Sequence, residues 1–199
     1  MSQVWRSPAA TSLVSPFWRT PSAAKVELLL EVAPAIGRVG FMLHPETSAN
    51  TGLLRGAETA ATSAIKLIAL GVHNTAEIER AVTEFAAQPN GGLIVAPHAI
   101  TFANRNVIVD LAARFRLPAV YAFRNFAASG GLLSYGTNTL LVWRDGASYV
   151  DRVLKGAKPA ELPAQFPTKY ELVVNLRTAK ALGLTVPPQL LGRADDVIE

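Results

Sequence analysis

There is no cysteine among the 199 residues. That absence removes disulfides, thiolate nucleophiles and cysteine-based zinc sites together. It leaves the compartment open, because a cysteine-free protein survives in cytosol and periplasm alike. Charge is scarce too. Only 17% of residues are charged, the formal net charge is +4, and no run of Lys or Arg stands out. The charge pattern therefore gives no support for a nucleic-acid groove. No apolar run approaches the roughly 20 residues that span a bilayer. Several signatures of chemistry are missing as well. No GxGxxG follows the first strand candidate, and GxxxxGK before Ser or Thr, HExxH and GxSxG occur nowhere. The two standard phosphate cradles, the local zinc motif and the nucleophile elbow are thereby excluded.

What is present is apolar. Half of the residues are hydrophobic, enough for a full core and against global disorder. The length suits one domain, or one and a half small ones. The opening "MSQVWRSPAATSLVSPFWRTPSAAK" is interrupted by Pro8 and Pro16 and carries Arg6 and Arg19. A secretory signal needs an unbroken apolar core of about 7–15 residues, which this segment lacks. Residues 1–21 read as a poorly ordered lead-in.

From there the pattern is regular. Strand-like runs fall at Val39–Leu43, Ile65–Leu70, Leu93–Ala96 and Ala119–Ala122, at the pitch of βα units in a parallel sheet. They are apolar on both faces, as buried parallel strands are. The segments between them have helical periodicity. A short amphipathic helix is expected over 22–34. Leu53, Leu54, Ala57 and Ala61 mark the next helix. Ile78, Val82 and Phe85 mark another, behind a capping box of Asn74 and Glu77. Ile108, Leu111, Ala112 and Phe115 mark a fourth. The expectation is an α/β fold, a Rossmann-like parallel sheet with helices on both faces, over residues 22–156. "FRNF" (123–126) reads as a loop. A glycine pair, Gly130 and Gly131, turns into a short strand at Leu132–Tyr135. A helix then carries Leu140, Trp143, Ala147, Val150 and Leu154 on one stripe. Residues 157–199 form a second unit: a Pro-rich linker (157–169), the strand "YELVVN" (170–175), and a short helix capped by Asn175 and closed by Gly183.

Ligands of such sheets sit beyond the carboxyl ends of the strands. That rule selects the loops 44–50, 71–74, 97–101 and 123–126. All three histidines, His44, His73 and His98, fall in them. Histidine with a carboxylate such as Glu46 suits zinc, but polar residues gather in loops in any case, and no metal site is expected. The stretch "HPETSAN" sets Glu46, Thr47, Ser48 and Asn50 at a helix start, where hydroxyls and free N–H groups accept an anion. Ordinary capping by Ser48 accounts for the same residues. Tyr121, Phe123, Phe126 and Tyr135 lie near strand ends and suit a planar ligand or simple packing.

The segments "ELLLEVAPAIGRVGFMLHPETSAN", "AAQPNGGLIVAPHAITFANRNVIVDLAARFRLPAVYAFRNFAASGGLLSYG" and "PTKYELVVNLRTAKALGLTVP" together resemble the ABC transporter substrate-binding protein family, whose best-studied relatives take up aromatic amino acids. The resemblance runs over about residues 22 to 199. It implies a type I periplasmic-binding-protein fold, in which two Rossmann-like lobes clamp a small ligand. This chain would supply one lobe and the C-terminal return segment, lacking the first lobe. Where the family turn is usually Asn-Pro-Asp/Glu-Thr, this chain has His44, Pro45, Glu46 and Thr47. At "TNTLLVWRDGA" (137–147) the family more often begins an acidic, arginine-containing helix.

The resemblance implies ligand contacts by Thr47, Ser48, Asn50, His98, Tyr121, Phe123, Ser134 and Tyr135. It implies no catalytic residue, no metal and no cofactor. The implied partners are a small molecule, such as an aromatic or branched amino acid, and an ABC permease, with nucleic acid excluded. The implied location is the periplasm, or the cytoplasm if the chain is expressed as written. Self-association is expected, through the Trp143 helix and an open edge at "YELVV" (170–174). Two alternatives stand beside this reading: a doubly wound enzyme using His44, Glu46 and His98, and a remnant that no longer binds ligand.

Overall fold

The computed structural model describes residues 21–61, 65–163 and 169–199. The expected lead-in thus lies outside the described residues except for Pro21, as do positions 164–168 of the linker. Helix α1 (Pro21–Val32) leads into β1 (Arg38–Leu43), α2 (Ser48–Glu58), β2 (Lys66–Gly71) and α3 (Thr75–Ala86). Then come β3 (Gly91–Val95), α4 (Ala99–Ala103), α5 (Arg105–Arg114), β4 (Ala119–Tyr121), α6 (Arg124–Ala128) and β5 (Leu133–Thr137). The rest is α7 (Thr139–Leu154), β6 (Tyr170–Asn175), α8 (Leu176–Leu182), α9 (Pro188–Leu191) and β7 (Asp196–Ile198).

One seven-stranded sheet runs in the order β2-β1-β3-β4-β5-β6-β7. β1 to β5 are mutually parallel, as the βα pitch predicts. The parallel sheet expected from sequence is nevertheless mixed, because β6 pairs antiparallel to β5 and β7 lies parallel to β6. The return segment is therefore part of the same sheet. β6 pairs with β5 from Tyr170 to Val174 and with β7 from Val173 to Asn175, so the open edge expected at 170–174 is closed only at its far end, by a three-residue strand with no apolar pattern to announce it.

Alternation along the strands divides the core. Val39, Phe41 and Leu43 of β1 and Ile94 of β3 face α1 and the C-terminal helices. Met42, Leu93, Val95 and Tyr121 face α3 and α5. Helices thus cover both faces, and two-sided burial explains the near-continuous apolar runs. β2 departs from this. It forms the sheet edge, with Lys66, Ala69 and Gly71 exposed. α1 departs in the other direction: it is enclosed rather than amphipathic, and even Lys25 is buried. The "FRNF" segment is helical from Arg124 onward rather than a loop. Gly136 is obligatory, since a Cβ there would lie 1.9 Å from the carbonyl oxygen of Ala122. Gly183 closes α8 with φ of 74°, the left-handed conformation that glycine adopts without steric cost.

α7 carries the expected apolar stripe, yet none of its residues is buried. Trp143 is 74% exposed and Leu154 82%.

Candidate functional site

The strand order reverses between β1 and β3, with β2 on one side and β4 and β5 on the other. The crevice beyond the carboxyl ends of strands at such a switch point is the usual ligand position. His44 follows β1 directly, and His98 follows β3 by way of Ala96 and Pro97. Their rings stack across the switch point, with centroids 4.4 Å apart and planes at 17°. The β2 turn brings His73 edge-on to His44 at 5.1 Å.

The buried amide of Asn50 ties the two central loops together. With its amide oriented to satisfy both ends, the side chain donates to the carbonyl of Pro97 (3.1 Å) and accepts from the backbone N–H of His44 (3.3 Å). Asn50 is 1% exposed. It therefore braces the face from beneath rather than presenting a free group to a ligand.

Thr47 is the N-cap of α2, but its side chain makes no capping bond. The Thr47 hydroxyl instead meets Nδ1 of His44 at 3.2 Å. Ser48 is not the cap, contrary to the sequence expectation. It is the first residue of α2 and is exposed. The first-turn N–H groups of a helix have no intrahelical acceptor. Here the Asn50 N–H turns back to the Thr47 carbonyl at 2.9 Å, and no N-cap side chain covers the Ser48 and Ala49 N–H groups, so the end of α2 points its partial positive charge at the crevice.

His98 is itself the N-cap of α4. Its Nδ1 accepts the N–H of Ile100 at 3.2 Å. A ring whose Nδ1 is an acceptor carries its proton, when neutral, on Nε2. His98 thus offers an Nε2–H donor. Partial desolvation, and then the His44 ring beside it, hold its pKa below the ordinary histidine value. Thr101 lies beneath, its hydroxyl donating to the carbonyls of Ala96 and His98 at 3.0 Å each.

The four aromatic candidates divide. Phe123 is half-buried and pairs edge-to-face with Phe102, centroids 5.5 Å apart. Tyr121 is in the core, stacked on Phe126 at 4.7 Å, and burial raises its phenol pKa. Ser134 is buried beside it in β5. Tyr135 is half-buried and stacks on Tyr170 of β6 at 5.5 Å. Thr47 and His98 thus meet the His44 ring, Ser48 is exposed at the start of α2, and Phe123 stands after β4 against Phe102. Asn50, Tyr121 and Ser134 lie below it.

Sequence reasoning passed over Phe102 and took Glu77 for a capping residue only. Glu77 does more than cap. Its Oε2 takes the His73 ring at Nδ1 (2.8 Å) and the His73 backbone N–H (2.9 Å), while Oε1 takes the Asn74 amide (3.0 Å). The His73 bond depresses the pKa of Glu77. An i, i+4 His–Glu spacing was the available signal.

Comparison with known proteins adds context. The family described as ABC transporter substrate binding protein matches residues 19–198. No curated protein matches the chain. Among solved structures, a conserved domain protein from Vibrio cholerae is 23% identical, with a TM-score of 0.82 over 89% of this chain and 60% of that one. An ABC domain in complex with L-Trp from Streptococcus pneumonia is 23% identical, with a TM-score of 0.80 over the same shares. A periplasmic solute binding protein of an ABC transporter from Actinobacillus succinogenes, with bound D-allose, is 15% identical. Its TM-score is 0.58, over 80% of this chain and 60% of that one. The chain therefore spans about 60% of the length of the structures it matches.

Proposed function

Because the chain belongs to the ABC transporter substrate binding protein family, we propose that its strand-end face binds a solute, an amino acid with an aromatic or branched side chain. The observation that carries this reading is the start of α2. Its N–H groups lack a side-chain cap, Ser48 is exposed there, and the Nε2–H of His98 lies across the switch point. These are donors without a built-in anion, which is what a carboxylate requires. The Phe102–Phe123 pair stands at the neighbouring strand ends and suits the solute side chain. The bound L-Trp of the streptococcal neighbour supports the amino-acid class. An ABC permease is the partner that goes with this role, and the periplasm is its compartment.

The role has no catalytic step. The alternative enzyme needs His98 as a free base, and its Nδ1 is already occupied by the Ile100 N–H.

A single sheet offers an open shelf, whereas typical small-molecule pockets bury roughly 70–90% of the ligand surface. Hydrogen bonds on a wet shelf contribute only about 0.5–1.5 kcal/mol each. Calorimetric titration with phenylalanine, tyrosine, tryptophan and leucine, in chelator-treated buffer, tests the reading. Dissociation constants in the millimolar range are expected. Phenylalaninamide, which lacks the carboxylate, should bind at least about tenfold more weakly, a difference of about 1.4 kcal/mol. Equal binding of acid and amide would remove the carboxylate from the role. Absence of binding by all four amino acids would favour the remnant.

A further inference from the structure

We propose that the β1–α2 and β2–α3 turns form a site for one divalent transition-metal ion of the zinc class, with His44, Glu46 and His73 as ligands. One ligand atom from each of the three lies within 4.8 Å of the other two. Glu46 Oε1 is 3.7 Å from His73 Nε2.

The sheet brings them together. β1 and β2 are neighbours in parallel register, with Leu43 opposite Gly71. The N–H of Val72 bonds the carbonyl of Leu43 at 3.0 Å. Two turns leaving adjacent strand ends in step place His44 and His73 side by side.

The ring nitrogens are already sorted. Glu77 holds Nδ1 of His73 at 2.8 Å, so the neutral ring keeps its proton there and presents the Nε2 lone pair toward Glu46. A carboxylate on the remote nitrogen is the usual support for a metal-bound histidine, fixing both tautomer and ring orientation. With Nδ1–H of His44 donating to the Thr47 hydroxyl oxygen at 3.2 Å, its Nε2 is again the atom left with a lone pair. His98 is excluded as a ligand, because its Nδ1 accepts Ile100 and its Nε2 carries the proton. Its stacked ring instead backs His44.

Bond lengths of about 2.0–2.2 Å around a tetrahedral ion separate neighbouring donors by roughly 3.3–3.5 Å. Ligand atoms as much as 4.8 Å apart must therefore draw in by up to about 1.5 Å. The Glu46 side chain, 79% exposed, can swing in toward His73 while Glu77 holds the His73 ring. Two imidazoles and one carboxylate select zinc, cobalt(II) or nickel(II) over magnesium or calcium, which take oxygen ligands. Three protein ligands also leave a fourth position open.

The test uses the full chain without an affinity tag. Cobalt(II) chloride is followed by its visible absorption, and zinc chloride by calorimetry. One ion per chain is expected, with a tetrahedral-type cobalt band that tenfold excess magnesium does not displace. His73→Ala and Glu46→Gln, both at exposed positions that leave the fold intact, should each weaken binding at least tenfold. Glu77→Gln should weaken it by about 10- to 100-fold, as loss of such a support does. No stoichiometric binding at 100 micromolar metal would overturn the proposal. So would affinity left unchanged by His73→Ala and Glu46→Gln. Because the amino-acid titrations are run without metal, the outcome of either experiment leaves the other to stand or fall alone.

Discussion

Asn50→Asp is the sharpest probe of how the face is built. The native amide needs one donor and one acceptor: it donates to Pro97 and accepts from His44. A carboxylate of the same shape keeps the second bond and turns the first into a contact between two acceptors. It would also be a charge in a side chain that is 1% exposed. An ionised group buried without a partner costs more than its own neutralisation, so it takes up a proton instead. That sets a ceiling. Holding a carboxyl neutral at pH 7, about three units above its ordinary pKa of 3.9, costs about 4 kcal/mol. The sign follows from proton counting. The folded variant holds a proton that the unfolded chain has released, so its stability deficit grows as pH rises from 4 to 7. Below pH 4 the neutral acid can donate to Pro97 and the deficit shrinks. Asn50→Ala, by contrast, should cost about 1–3 kcal/mol for the stranded backbone groups, with no such slope. Urea unfolding of all three proteins at pH 4 and pH 7 measures this. A variant carrying the carboxylate that stays within about 0.5 kcal/mol of the native chain at pH 7, or a deficit equal at both pH values, would refute the brace.

Other expectations concern the scaffold. Lys25 is 4% exposed, and burial pulls its ammonium pKa down to about 8. Since the unfolded chain keeps that proton up to about pH 10.4, stability should climb by about 3 kcal/mol between pH 8 and 10.4. Lys25→Met should abolish this climb relative to the native chain and be the more stable protein at pH 7. Parallel pH profiles for the two would contradict it. Gly136→Ala should cost more than about 2 kcal/mol, through the backbone contact with Ala122. Gly146→Ala, in α7 with open space around it, should be neutral or stabilising by up to about 1 kcal/mol in thermal melts. Finally, the exposed stripe of Leu140, Trp143, Val150 and Leu154 should drive concentration-dependent association. Leu140→Glu with Trp143→Glu should reduce it in sedimentation measurements. A native chain that stays monomeric at high concentration would show that this stripe does not drive association.

β1, β3 and β4 were readable because two-sided burial leaves little room for polar residues in them, and β2 because its run stays mostly apolar although it lies at the edge. Asn74, Asn175 and Gly183 were readable because caps and left-handed turns depend on local chemistry. β7 was not, since three residues become a strand only through a neighbour some twenty positions away. Nor was the second pairing of β6, with β7 over Val173–Asn175. At the site, strand ends alone located His44 and His98. The inward turn of Asn50 from α2, and the depth of Tyr121 and Ser134 on the paired strands β4 and β5, depend on what packs over them, which periodicity does not encode. Thr47 shows the limit most clearly. Its sequence context predicts a helix-start hydroxyl, and only the neighbouring His44 ring draws that hydroxyl away from the helix.

The antiparallel pairing of β6 with β5 also bears on synthesis. β5 pairs residue for residue from Leu133 to Thr137 with a strand that begins at Tyr170. On the ribosome the first five strands can assemble while one side of β5 has no neighbour. At elongation rates of about 5–20 residues per second, that side waits about two to eight seconds for β6 to be made. During that interval the nascent chain carries a bare row of main-chain donors and acceptors, flanked by the apolar α7. The last thirty residues are thus the step that ends a window of vulnerability to mispairing between neighbouring nascent chains.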